Sequence, residues 1–145
     1  MLSRRATLVA VFLVGLCGQA RAQTAPSDAE MRQPMFIFFD WRKDTLTDLA
    51  KKNVASAAER FRTLNAQQIK LVGTTDTSLP KAESEALSDR MANAVGVELM
   101  RDGVPLKAMS VYGFGWSRPE FLLVKTAPGV REPQNRNVAI VFPQQ

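Results

Sequence analysis

The sequence contains no histidine, and its single cysteine is Cys17, close to the N-terminus. Without histidine, neither a Ser-His-Asp triad nor a Cys-His pair can form. Zinc sites built on histidine and several cysteines are excluded on the same ground. The sequence also lacks a Gly-rich phosphate-binding loop, and no carboxylate pair can be assigned to acid–base chemistry. We therefore expect a protein that is not an enzyme and that holds neither a metal nor a cofactor.

The first 22 residues have the pattern of an export signal. Arg4 and Arg5 form a basic start, residues 6–16 are an apolar run, and Ala20-Arg21-Ala22 is a small-x-small cleavage site. The run is shorter than the roughly 20 residues needed to cross a bilayer. The pattern predicts a signal peptide over 1–22, with an uncleaved membrane anchor as the alternative. The paired arginines suit either an ordinary secretory or a twin-arginine route.

Removal of this segment changes the charge balance. It takes away three of the 19 basic residues and none of the 14 acidic ones, which lowers the net charge from +5 to +2. So modest a charge does not indicate a nucleic-acid partner. The remaining chain has no long apolar run either, so we expect no integral membrane span in the mature protein.

Apolar periodicity then predicts the elements of one domain. Residues 23–34 are polar and aperiodic, which indicates a flexible leader, and the apolar run 35–39 (MFIFF) predicts a buried strand. Apolar residues from Leu46 to Leu64 repeat every three or four positions, which predicts a helix with Thr47 as its N-cap. Residues 69–74 form the second predicted strand.

A second helix follows, with Pro80 in its first turn. Its apolar stripe is Leu87, Met91, Val95 and Leu99, and Gly103 suits the left-handed position after its last turn. Residues 108–112 predict a third strand that ends at the 113–115 stretch (GFG), and 114–136 is a long irregular segment. Residues 138–142 predict a fourth strand. The order β-α-β-α-β-β predicts an α+β domain over 35–142, with two helices on one face of a four-stranded mixed sheet.

Four motifs along this domain resemble the OmpA-like C-terminal domain of Gram-negative envelope proteins. They cover nearly all of 35–142, and their number and order make the resemblance specific. The motifs are 38–43 (FFDWRK), 72–76 (VGTTD), 87–92 (LSDRMA), and 113–115 (GFG) with Pro119 and the closing 135–138 (NRNV).

The resemblance implies non-covalent binding of peptidoglycan through the diaminopimelate of its stem peptide. That ligand end carries an ammonium and a carboxylate, so the site needs an anion and a cation, ideally an arginine fork. Asp76 matches the family's ammonium-binding aspartate, and Thr75 precedes it in the same motif. At the family's carboxylate-binding arginine, however, this chain has Met91.

Other candidate site residues also depart from the family's pattern. Arg42 replaces an Asp or Asn, and Ser84 replaces a polar amide; Arg136 matches the first arginine of the closing motif. Arg42 or Arg136 is a possible replacement cation. Arg90, one residue from Met91, is rotated by about 100° around the helix and should point elsewhere. The alternatives are that Met91 continues the apolar stripe as core and that Asp76 only stabilises a turn.

Two functions remain open. The first is a module in the periplasm, either free there or associated with the outer membrane or cell wall, that binds the peptidoglycan stem peptide through a modified and weakened site. The second is an interaction or structural module that has lost this ligand and contacts another envelope protein. Apolar residues in and near the long segment offer a surface for such a partner: Phe114, Trp116, Phe121 and 122–124.

Overall fold

The computed structural model describes residues 27–144. The predicted signal peptide 1–22 and leader residues 23–26 lie outside this part of the chain. The α-helices are α1 (Asp28–Met31), α2 (Asp48–Thr63) and α3 (Lys81–Arg101), and the strands are β1 (Met35–Phe38), β2 (Ile69–Thr74), β3 (Met109–Gly115) and β4 (Asn137–Val141). The single turn of α1 falls within the predicted leader.

The four strands form one mixed sheet in the order β1-β4-β2-β3. β4 is antiparallel to both of its neighbours, whereas β2 and β3 are parallel. α2 and α3 pack against one face of this sheet, around a core that includes Ile37, Leu71, Val95 and Ile140. The predicted α+β architecture is confirmed.

Local signals account for the helix ends. Thr47 is the N-cap of α2, and its side-chain oxygen accepts a hydrogen bond from the backbone N–H of Ala50 at 3.1 Å. α3 ends at Arg101, and Gly103 follows in the left-handed region with φ 96°. Pro80 lies one position before α3 rather than in its first turn, because its ψ of 149° is extended.

The predicted end of the third strand at Tyr112 is wrong. β3 continues to Gly115, because glycine here permits close packing of helix on sheet rather than breaking the strand. A Cβ at Gly113 would lie 2.4 Å from the backbone nitrogen of Asp89 in α3. At Gly73 in β2, a Cβ would lie 2.3 Å from the carbonyl oxygen of Ser88.

The long segment after β3 is partly helical and is anchored by a buried amide. It contains the short 3-10 helices Pro119–Phe121 and Pro133–Asn135. The Asn135 side chain is fully buried, donates to the carbonyl of Val124 at 2.7 Å and accepts from its N–H at 2.9 Å. These paired bonds hold the segment against the sheet edge at which β2 and β3 end and β4 begins.

Candidate functional site

The candidate site lies at this edge of the sheet. β1, β2 and β3 all end here and β4 begins here, so the segments that contain Trp41, Asp76, Trp116 and Arg136 come together. Trp41 and Trp116 both reach the turn after β2: their indole N–H groups donate to Ser78 Oγ at 3.1 Å and to the Leu79 carbonyl at 2.8 Å. The turn is therefore held from both sides.

Asp76 is buried at the centre of this turn, with 1% of its surface exposed. Its Oδ1 accepts hydrogen bonds from the N–H of Ser78, at 3.1 Å, and from the Ser78 hydroxyl. Its Oδ2 accepts from the N–H of Glu132, at 3.2 Å, and from Arg136 Nη1, at 2.9 Å. A carboxylate has about four acceptor positions, so these four donors occupy its capacity. The hydrogen bond from the Ser78 N–H also forms an Asx-turn, as expected from the alternative interpretation in which Asp76 stabilises a turn.

Arg136 is the cation that faces Asp76. Its side chain is 14% exposed, and its Nε donates to the carbonyl of Phe39 at 3.3 Å, which fixes the guanidinium. On one side of Arg136, a cleft of about 350 Å³ opens, with Phe39, Asp40 and Asn53 among its lining residues. Of the residues predicted for the site, Asp76 and Arg136 are joined by a direct contact.

Thr75 and Ser84 are buried, and their hydroxyl groups are used inside the protein. Thr75 Oγ1 donates to the Asp76 carbonyl at 3.1 Å, and Ser84 Oγ donates to the Lys81 carbonyl at 2.8 Å. Their positions support the β2 turn and the first turn of α3, and neither hydroxyl contacts the Asp76 carboxylate.

Arg42 is paired with a carboxylate other than Asp76. Its backbone is in the left-handed region with φ 58°, and its half-exposed guanidinium forms an ion pair with Glu83. The structure therefore does not place Arg42 as the replacement cation. Arg90 likewise points outward, where its Nε lies 2.9 Å from Asp44.

Met91 is part of the core. It is 1% exposed and packs with the other buried residues of the α3 stripe, as its alternative interpretation predicted. Because position 91 of α3 is an apolar core residue, this position provides no cation for the site around Asp76.

Two contributors to the site are not predicted from the sequence. The backbone N–H of Glu132 binds Asp76, and Arg131 places its guanidinium carbon 3.5 Å from the ring centre of Trp41. A backbone donor some 56 positions away leaves no sequence signal. Ser78, two residues after Asp76, was a usable signal, since an Asx-turn binds the backbone at that spacing.

Residues 27–144 contain no group of three or more acidic or thiol side chains that could hold a metal ion. No helix within the same range is long and apolar enough to cross a membrane.

Comparison with known proteins identifies the family of this domain. Residues 38–136 match the OmpA family. The chain belongs to the OmpA family. An outer membrane protein of Gluconacetobacter diazotrophicus is 41% identical over 112 residues, which are 73% of this chain and 29% of that protein. The outer-membrane lipoprotein YfiB of Pseudomonas aeruginosa is 28% identical over 109 residues, 75% of this chain and 63% of that protein.

Solved structures share the fold of this OmpA-family domain. The peptidoglycan-associated lipoprotein of Burkholderia pseudomallei superposes with a TM-score of 0.63 at 20% identity, over 74% of this chain and 89% of that one. The C-terminal domain of Helicobacter pylori MotB gives 0.62 at 21%, over 77% and 85%. The chain spans between a quarter and a third of the length of several outer membrane proteins that it matches.

Proposed function

We propose that this OmpA-family chain is a non-catalytic domain of the cell envelope that associates non-covalently with peptidoglycan through a modified and weakened site. The observation that carries the proposal is the buried Asp76 carboxylate, which keeps the family's position but faces Arg136 within its own fold. The family's ligand, the diaminopimelate end of a stem peptide, brings an ammonium group to such an aspartate.

Two features weaken the association. An incoming ammonium must displace one of four donors, of which the Ser78 hydroxyl is the easiest to move because it can rotate. The ligand carboxylate also lacks the family's arginine, since Met91 occupies that position. A desolvated arginine–carboxylate contact contributes about 2–5 kcal/mol, and about 4 kcal/mol corresponds to a thousandfold change in affinity.

We place the protein in the periplasm, close to the outer membrane or the cell wall. Its predicted signal peptide and the names of its relatives support this location: an outer membrane protein, an outer-membrane lipoprotein and a peptidoglycan-associated lipoprotein. These names describe the relatives, and location is tested directly by fractionating cells that produce the protein.

A second candidate function is an interaction module on the same scaffold, with no wall binding. A stack of aromatic rings on the sheet face opposite α2 and α3 favours it. Tyr112, Phe114 and Phe121 stack in sequence with centroid separations of 5.7 and 5.2 Å, and Tyr112 and Phe121 are about 40% exposed. An exposed apolar cluster of this kind suits a protein partner.

Co-sedimentation with purified peptidoglycan tests the two candidates. The protein is compared with Asp76→Ala, which removes the anion, with Met91→Arg, which restores the family's cation, and with Met91→Leu as a matched core control. Thermal melting of each variant monitored by circular dichroism establishes that it is folded, because Asp76 and Met91 are both buried.

Weak sedimentation that Asp76→Ala abolishes and Met91→Leu preserves supports the wall-binding site. Stronger sedimentation of folded Met91→Arg adds that the missing arginine is the cause of the weakness. No sedimentation by the unaltered protein would exclude wall binding and favour the interaction module. Strong binding that Asp76→Ala leaves unchanged would show that the wall contacts a different surface.

A further inference from the structure

Arg131 lies closer to Trp41 than does Arg42, whose guanidinium carbon is 5.3 Å from the centre of the same ring. The guanidinium carbon of Arg131 lies 3.5 Å from the centre of the Trp41 ring, and its side chain is exposed. That separation is a van der Waals contact distance between carbon atoms, so the guanidinium lies against the face of the indole as a cation–π pair. An exposed guanidinium in such a pair keeps N–H donors available, and a planar anion can accept two of them.

The other arginines near this edge of the sheet already have anionic partners. Arg136 binds Asp76, Arg42 binds Glu83 and Arg90 binds Asp44. Within residues 27–144, Arg131 is not paired with any carboxylate. A ligand anion that binds Arg131 therefore displaces no carboxylate of the protein.

The backbone around Arg131 is fixed to the turn after β2. The N–H of Gly129 donates to the Thr77 carbonyl at 2.9 Å, the N–H of Val130 donates to Thr77 Oγ1 at 3.2 Å, and the N–H of Glu132 donates to Asp76 Oδ2 at 3.2 Å. Three donors in four residues hold this short segment in place. The cation is consequently positioned before any ligand arrives, which reduces the entropy lost on binding.

Trp41 connects this cation to the buried carboxylate. Its indole N–H donates to Ser78 Oγ at 3.1 Å, and the same hydroxyl donates to Asp76 Oδ1. The ring is therefore oriented by the Asp76 turn on one edge and carries Arg131 on one face. The Arg131–Trp41 pair and the Asp76 carboxylate are thus connected through the Ser78 hydroxyl.

We propose that Arg131, held on Trp41, is the cation that binds the ligand carboxylate at this site, in the absence of an arginine at position 91. The inference rests on the proposed function, and it specifies that the recognised ligand end has a free carboxylate. The Arg131 fork binds that carboxylate in a partly solvated position, which is consistent with weak association.

The test measures binding of two soluble peptides to the full chain by isothermal titration calorimetry. One is L-Ala-γ-D-Glu-meso-diaminopimelate, and the other is the same tripeptide with the carboxyl at the free amino-acid end of diaminopimelate amidated. Loss of one charge-assisted contact should weaken binding of the amidated peptide roughly tenfold. Arg131→Gln should weaken binding of the free acid by a similar factor and abolish the discrimination between the two peptides.

Arg118→Gln is the matched control. Arg118 also lies over aromatic rings, 5.2 Å from the centre of Phe114 and 5.6 Å from that of Phe121, and it is half exposed. Its removal takes away the same charge and should leave the discrimination unchanged. Equal losses in both variants would mean that net charge alone matters, which would overturn the inference.

The two proposals fail in different ways. If the unaltered protein binds and discriminates between the peptides, and Arg131→Gln does the same, Arg131 is not the carboxylate partner, while the proposed function stands. If the unaltered protein binds both peptides equally, no cation of the site binds the ligand carboxylate, and the inference is wrong. If it binds neither the peptides nor peptidoglycan, the proposed function is wrong and Arg131 has no ligand carboxylate to hold.

Discussion

The ion pair between Asp76 and Arg136 predicts a large loss of stability when its cation is removed. Asp76 is 1% exposed and the Arg136 side chain is 14% exposed, so neither charge is well solvated by water. In Arg136→Met, the new side chain keeps much of the apolar stem, and the carboxylate loses its only ionic contact within the part of the chain that the structure describes. The change therefore removes the charge, together with the Nε hydrogen bond to the Phe39 carbonyl, while it keeps most of the packing.

The magnitude follows from what remains around the carboxylate. Removal of one partner of a buried pair costs about 3–5 kcal/mol. Asp76 keeps three donors, from Ser78 and Glu132, and the arginine lies near the surface, which places the cost near the lower end. We expect the free energy of unfolding to fall by about 3 kcal/mol, and the melting temperature of a domain of this size to fall by about 10 °C.

Urea denaturation and thermal melting, both followed by circular dichroism, measure these quantities. Arg118→Met is the matched control: its ion pair with Glu120, at 2.6 Å, is half exposed on both sides and should contribute at most about 1 kcal/mol. If Arg136→Met melts within a degree or two of Arg118→Met, Asp76 is solvated in solution. The claim that its acceptor capacity is used inside the fold would then be refuted.

Three further predictions concern the scaffold and one surface carboxyl. Gly113→Ala should destabilise the domain by about 3 kcal/mol or more in urea denaturation, because its Cβ would lie 2.4 Å from the Asp89 backbone nitrogen; unchanged stability would show that α3 does not pack this closely. Thr47→Ala should cost about 1 kcal/mol through loss of the N-cap, while Thr47→Ser should cost little; equal losses in both would contradict a capping role. The hydrogen bonds that Glu120 accepts from its own backbone N–H and from the Arg118 side chain lower the pKa of Glu120. Because the folded-state pKa is depressed, the small stabilisation is present above the unfolded pKa and lost as pH falls through the folded pKa. An NMR titration should find this carboxyl below its ordinary range, and Arg118→Met should raise it.

The fold was predictable because each element carries its own local pattern. The apolar stripes of α2 and α3 repeat at helical spacing, and Thr47 and Gly103 mark their ends. The error at β3 came from the same kind of local argument. Glycine by itself weakens a strand. Gly113 nevertheless lies within β3, because α3 packs too closely against it to leave room for a Cβ, and the distance between α3 and β3 cannot be derived from the sequence.

The site was less predictable because its contacts join distant positions. Asp76 and Arg136 were both identified as candidates, but their bond spans 60 positions, and nothing local says that each is the other's partner. Arg42 was offered as a possible replacement cation, and its pairing with Glu83, 41 positions away, was equally invisible. Residue types at a site follow from motifs, whereas the pairing among them follows from tertiary packing.

The arrangement around Asp76 changes how a ligand would have to bind. All four donors to the carboxylate come from the loops around it, and α3 contributes none of them because Met91 belongs to the core. A buried carboxylate satisfied in this way is stable without a ligand, so an ammonium group that reaches it exchanges one hydrogen bond for another and gains little.

The proposed contact between the ligand carboxylate and Arg131 differs from the ammonium–Asp76 contact, because it replaces no ion pair of the protein. The Arg131 guanidinium already lies on Trp41 and gives up no protein carboxylate when it binds an anion, so solvent screening rather than a competing ion pair limits what that interaction contributes to affinity. The ligand carboxylate should therefore contribute to recognition beside the ammonium group that Asp76 is proposed to bind. In the family's pattern the aspartate and the arginine act together; here the fold occupies the aspartate, and the proposed contact of Arg131 with the ligand carboxylate would supply the cationic half of the recognition.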